Sequence, residues 1–268
     1  MSNGFQKNQE PSHSRYFDKH WSACPSRWRI PCQVARKVPY LTECHKQVRL
    51  AWAKQNKGMK PEDWRKVIFS DKCYIYLGDK QGRTFVTWGV DEVLLDECLV
   101  PTFKQSLVRV MVWGCIIEEH RGPLVVLEYL GGKGGGMNSM CYQDQVLNPV
   151  LKPFYMKMNH ERQTVYFQQD GAASHHSKST MQWFTKNQIS LIDHPPSSLN
   201  FNPIEPVRLD LKNIFRHLTH PPSIILELKV VVLDAWEQLS LEQIDSHIQR
   251  MGDHIEAVLK AKGGHTKF

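Results

Sequence analysis

The chain has 268 residues, 41% of them hydrophobic and 10% aromatic, a globular composition with room for one large domain or two small ones. No apolar run reaches the roughly 20 residues of a membrane helix, and the polar start MSNGFQKNQEPSHSRYFDKHW lacks a signal-peptide core, so neither a spanning nor a secreted protein is expected. Charge is uneven: residues 1–66 hold 14 Lys/Arg against 5 Asp/Glu, a net of +9, while the remainder holds 20 against 22, a net of −2.

A basic arm on a near-neutral body suits a polyanion, nucleic acid foremost, although an ordinary solvated surface has the same composition. The seven cysteines contain no CxxC pair, which argues against a zinc knuckle or a disulfide framework. Cytosol or nucleus follows as the expected compartment.

Residues 1–35 show weak periodicity and scattered Pro, Ser and His, and are expected to be disordered or a remnant of a larger unit. Residues 36–66 read as a basic helical linker: Leu41, Val48, Ala51 and Trp52 recur at helical spacing behind Thr42, and Pro61 suits a first helical position. Strand texture begins at Val67-Ile68-Phe69-Ser70-Asp71, followed by a second run, Cys73–Leu77, a turn at 78–82 and a third candidate, RTFVTW at 83–88. VRVMVWGCII at 108–117 and LVVLEYL at 124–130 flank a turn placed at 120–123, so an antiparallel meander is predicted. GGKGGG at 131–136 lacks Walker spacing and reads as a connector.

Tyr142, Val146, Val150, Phe154 and Met158 then mark a helix over 138–159. Val165-Tyr166-Phe167 starts a strand–helix–strand–loop–helix passage, the pattern of a parallel pair with a crossover helix. Two helical patterns follow Pro222, the last stopped by Gly263-Gly264. The sum is an α/β fold with a mixed sheet and flanking helices.

Three carboxylates stand out. Asp71 and Asp170 are each placed at the end of a strand, and Glu205 at the start of a helix. Oxygen ligands from rigid elements, with no His or Cys pattern, favour Mg²⁺ or Mn²⁺ over zinc, and a two-metal carboxylate site suits phosphodiester chemistry. Each acid also has a plain reading. Asp71 can simply end a strand, Asp170 can start an Asx turn, and Asn202-x-x-Glu205 has the form of a capping box.

FSD at 69–71, MVWGCI at 111–116, FQQDGAASH at 167–175, NPIE at 202–205 and EAVLKAKGGHTKF at 256–268 together resemble the catalytic region of Tc/mariner-type transposases. The 34 residues between Asp170 and Glu205 match the spacing of that family's DDE motif. The resemblance implies an RNase H-like fold over 67–268, with a mixed five-stranded sheet, and Asp71, Asp170 and Glu205 as catalytic residues holding two Mg²⁺ or Mn²⁺ ions. It further implies DNA strand cleavage and transfer at terminal inverted repeats, double-stranded DNA as partner, a homodimer and a nuclear location. His175 matches the family's histidine, as an auxiliary near the scissile phosphate or as a hydrogen-bonded helix-start residue. Arg36, Lys37 and Arg49 match a linker expected to touch phosphates.

The pattern also breaks. Residues 20–37 match at most a fragment of the family's second helix-turn-helix unit, so sequence-specific recognition is expected to be lost. Lys72 replaces a Glu, Gly171, Ala173 and Ser174 replace Asn, Pro and Cys, and Ser198-Leu199-Asn200-Phe201 replaces SPDL. Pro206-Val207-Arg208 replaces Asn-Leu-Trp. If Asn202 caps the helix, Pro206 forfeits a helical hydrogen bond and Arg208 brings an unpaired charge into a buried place. The alternative function is therefore a catalytically inactive, transposon-derived remnant that binds DNA non-specifically; a host nuclease on the same fold is a third reading.

Overall fold

A computed structural model describes residues 40–76, 109–128, 137–218 and 222–268. The predicted strand at 83–88, the turn at 78–82, the 131–136 connector, Arg36 and Lys37 lie outside the described residues.

Five strands form one sheet in the order β3-β2-β1-β4-β5: β1 (Val67–Tyr76), β2 (Arg109–Ile117), β3 (His120–Leu127), β4 (Tyr166–Gln168) and β5 (Leu191–Ile192). β1, β2 and β3 are antiparallel, while β4 and β5 run parallel to β1, so the mixed sheet and the crossover are as expected. Two expectations need correction. The runs on either side of Lys72 are one continuous strand, paired with β2 from Phe69↔Ile116 to Tyr76↔Arg109, because the lysine keeps the alternation intact. The β2–β3 turn falls at Glu118-Glu119, with Glu119 at φ 66°, and Gly122 and Pro123 belong to β3.

Helices cover both sheet faces. On one side α3 (Ser139–Tyr142) runs through π-helical turns (Gln143–Leu151) into α4 (Lys152–Arg162), and α5 (Lys178–Lys186) joins β4 to β5. Pro149 has no N–H to donate and crowds the preceding turn, a physical reason for the wider π register around it. Ile68, Trp113, Tyr142, Val146, Phe167 and Phe184 form that core. The Tyr155 hydroxyl donates to Val165 O (2.7 Å) and accepts from Ser190 N (3.1 Å), fixing the approaches to β4 and β5.

On the other face lie α1 (Glu43–Asn56), α2 (Pro61–Trp64), α6 (Ile204–Arg216), α7 (Ile225–Glu237), α8 (Leu241–Gln249) and α9 (Met251–Lys260). They close over Val67, Phe69, Cys73 and Ile75 of β1. Thr42 caps α1 by accepting from His45 N (3.1 Å). Its buried stripe is Arg49, Trp52, Ala53 and Asn56, rotated from the predicted face so that Val48 and Ala51 are exposed. Thus α1 belongs to the compact unit Pro39–Phe268 and is no free linker. The final predicted helix is two, broken at Arg250, where the backbone turns to ψ 0°.

Candidate active site

The pairing of β1 with β4 ends at Phe69↔Gln168. β1 continues beyond that point with β2 alone, so Asp71 lies mid-strand, opposite Gly114. It is not a strand end, as the sequence suggested, but the place where the parallel neighbour gives out. Asp170 follows β4 by two residues. Three hydrogen bonds bring α6 to the same place: Ser70 Oγ to Gln168 O (2.8 Å), Gln168 Nε2 to Phe201 O (3.1 Å) and Asn202 Nδ2 to Ser70 O (3.0 Å). Glu205, second residue of α6, thereby reaches the sheet edge beside Asp71.

Alternation on β1 puts Asp71 on the α6 face and Lys72 on the α3 face. Arg208 Nη1 donates to Asp71 Oδ2 and, at 2.9 Å, to Glu205 Oε2. The guanidinium predicted to be an unpaired buried charge is instead clamped between two carboxylates. Burial pushes the Asp71 carboxyl up despite the pull of Arg208. Burial and the Asp71 charge push Glu205 up to about 7, against Arg208 and Lys212. Burial also lowers Lys72, whose ammonium lies 3.5 Å from Ser174 Oγ and 5.8 Å from the centre of the Tyr142 ring.

Asp170 has a different environment. Burial opposes its ionisation, but the His175 hydrogen bond and charge, Lys72 and the Ala172 N–H together hold it well below the usual carboxylate range. His175 Nδ1 is 2.5 Å from Asp170 Oδ1, and Ala172 N donates to the same oxygen at 3.1 Å. The Asx turn therefore exists and coexists with the histidine contact. His175 is buried against Tyr142, ring centres 4.4 Å apart, and its Nε2 has no partner among the described residues. Its place is that of a residue orienting Asp170.

The capping box of Asn202 and Glu205 does not form. Asn202 N donates to Leu199 O, the Asn202 side chain serves Ser70, and Glu205 turns to Arg208. Because α6 starts at Ile204, Pro206 lies in the first turn, where an N–H has no intrahelical acceptor, and no helical bond is lost.

Arg49 is not a phosphate-facing residue. It is 3% exposed, and its guanidinium donates to Gly263 O (2.9 Å), Ser197 O (3.0 Å), Ser198 Oγ (3.1 Å), Asn200 Oδ1 (2.9 Å) and Gly264 O (3.3 Å). It clasps the altered 198–201 segment that precedes Glu205. Sequence reasoning missed this clasp. It also missed the Arg208 bridge, for which the one local signal was the three-residue spacing from Glu205.

No protein-family model matches this chain. Among curated relatives, the Tc3 transposase of Caenorhabditis elegans is 31% identical over 239 residues, spanning 88% of this chain and 67% of its own length. The chain belongs to the Tc/mariner transposase family. The Tcb1 transposase of Caenorhabditis briggsae is 28% identical over 233 residues, 87% of this chain and 81% of that one. Among solved structures, the Mos1 mariner paired-end complex with Mn aligns with TM-score 0.70 and 15% identity over 90% of this chain and 69% of that one. The Mos1 catalytic domain solved with raltegravir and Mg aligns with TM-score 0.64 and 13% identity over 85% of this chain and all of that one. The sheet and its flanking helices are thus the RNase H-like fold of the family's catalytic domain.

The Mos1 structures include Mg and Mn forms, so the family implies a divalent ion here. The residues as arranged do not fit one. Asp71 Oδ2 and Glu205 Oε2 are both engaged by one guanidinium nitrogen, and Asp170 Oδ1 by His175. Among the described residues, no group of three or more His, Cys, Asp or Glu side chains is placed to hold a metal.

Proposed function

We propose that residues 67–268 are a transposase catalytic domain whose substrate is the phosphodiester backbone of DNA at terminal inverted repeats, cleaved and transferred in transposition. The observation that carries this reading is the juxtaposition of three carboxylates at family-motif positions. Asp71 lies where its parallel neighbour ends, Asp170 just past that neighbour, and Glu205 in the first turn of α6. Asp71, Asp170 and Glu205 are the catalytic residues in this reading, and His175 positions Asp170. The Mos1 relatives are solved with transposon ends and in paired-end complexes, which supports DNA as partner and a homodimer as the working unit. Such a protein acts in the nucleus. Were Arg208 to release them, Asp71 and Glu205 with Asp170 would be the residues to hold Mg²⁺ or Mn²⁺, two ions in this reading, which would supply activation of an attacking oxygen and relief of charge on the leaving one.

A second reading has its own observation. The Arg208 bridge across Asp71 and Glu205 favours a copy that binds DNA without cutting it.

Nicking of a duplex carrying the inverted repeats that flank this chain's own coding sequence, in millimolar Mn²⁺, separates the two. The first reading expects nicking that Asp170→Asn reduces to background. Nicking indifferent to Asp71→Asn, Asp170→Asn and Glu205→Gln sinks the triad, and intact DNA throughout favours the second reading.

A further inference from the structure

We propose that Arg208 is an internal cation that closes the acidic site, so that a divalent ion binds this chain only when the guanidinium is displaced. The proposal rests on the reading of Asp71 and Glu205 as metal-facing carboxylates. Arg208 stands three residues after Glu205 on α6, which aims both side chains at the same point on β1. One nitrogen, Nη1, contacts both Asp71 Oδ2 and Glu205 Oε2. A hard dication needs those oxygens for itself, and it cannot share them with a guanidinium without like-charge repulsion at contact distance. The Asp71 side chain is only 8% exposed, so this is not a loose surface pair that water and salt would dissolve.

Arg49 and Arg208 behave differently. Arg49 spends its donors on five acceptors and is a permanent clasp. Arg208 leaves its buried Nε without a partner among the described residues. An unpaired buried donor is costly, so the carboxylates, and not a full set of partners, hold Arg208 where it is. A side chain held that way can move when a stronger cation competes. Lys72 adds a second positive charge from the opposite face of β1, near Ser174. Both cations stand where the family pattern has other residues, Trp and Glu.

The test is Mn²⁺ binding by the full chain, followed by electron paramagnetic resonance of the free ion. If Arg208 leaves the site in no more than about one molecule in ten, wild-type affinity is depressed at least about tenfold. Arg208→Met, which keeps an apolar stem without charge, is expected to bind Mn²⁺ tighter by at least that factor. Arg208→Ala is the second opening variant, in case Met packs poorly, and circular dichroism reports whether each is folded. Mn²⁺ is expected to raise the melting temperature of the opened variants and not that of wild type. Adding Asp71→Asn to Arg208→Met should abolish the gain. Equal Mn²⁺ affinity in wild type and Arg208→Met, lost with Asp71→Asn, overturns the latch and leaves the metal reading of the triad standing. Absence of binding in every folded variant overturns both.

Discussion

The three carboxyls are shifted in opposite directions: burial raises Asp71 and Glu205 despite the Arg208 they share, whereas His175, Lys72 and the Ala172 N–H outweigh burial at Asp170. Glu205 is raised to about 7 by burial and by Asp71, despite Arg208. Its folded form therefore takes up a proton between about 4.5 and 7, and the stability it contributes is complete at the acid end and lost as pH rises through 7. Urea denaturation of wild type and Glu205→Gln at pH 4.5 and pH 8 is expected to show wild type losing ground to the variant at the higher pH. A pH-independent difference refutes the assignment. Asp170, lowered with the help of His175, has the reverse sign: its contribution is present above the ordinary carboxylate range and disappears on acidification. Arg49 supports the Glu205 loop from behind. Arg49→Ala leaves buried and half-buried acceptors at 197–200 and 263–264 without their charged donor, and is expected to cost about 3 kcal/mol in chemical denaturation. Arg49→Lys recovers only part of that, since an ammonium cannot reproduce the planar fork.

At the level of elements, the sequence was most legible where a local rule had no competitor. Thr42 caps α1, Pro61 opens α2, the β4–α5–β5 crossover is parallel, and Gly263 ends the last helix at φ 84°. It was least legible where tertiary partners override local signals. Lys72 looks like a break between two strands, yet β2 pairs across it without interruption. Arg49 looks like a surface charge on a helix, yet five distant acceptors draw it inside and rotate the whole buried face of α1. Arg208 looks like an error at an apolar position, yet two acids at the sheet edge receive it. The three carboxylates stand in blocks that resemble the family's motifs, whereas the cations around them were not legible, because ion pairing across 137 residues leaves no periodicity. The β2–β3 hairpin supplies an element-scale test. A Cβ on Gly122 would lie 2.5 Å from Cys115 O and 2.7 Å from Cys115 Sγ, at the irregularity between Gly114 and Ile116. Gly122 O also accepts from Trp236 Nε1 (2.8 Å), which ties α7 to the sheet. Because the clash is with backbone, Gly122→Ala is expected to lose more than about 2 kcal/mol. A melting temperature unchanged by that substitution shows that the hairpin can separate freely.

Across the whole molecule, charge is divided unevenly along the chain. The first 66 residues carry a net of +9 and the rest a net of −2, so electrostatic attraction to a phosphate backbone resides in the N-terminal quarter. That excess is not uniform in use, for Arg49 is consumed by internal acceptors while Arg36 and Lys37 precede the described residues. Binding to a duplex of arbitrary sequence should weaken linearly on a log–log plot against salt, each phosphate contact adding about 0.9 to the slope. If Arg36 and Lys37 each neutralise a phosphate, the double variant Arg36→Gln/Lys37→Gln lowers the slope by about 2, whatever the sequence of the duplex. Arg49→Gln, in contrast, destabilises the fold and leaves the slope of the folded fraction unchanged, because its charge never faces the polyanion. Fluorescence anisotropy over a range of NaCl concentrations measures both. A double-variant slope equal to that of wild type removes Arg36 and Lys37 from the DNA contact, and a reduced slope for folded Arg49→Gln contradicts its assignment as an internal clasp.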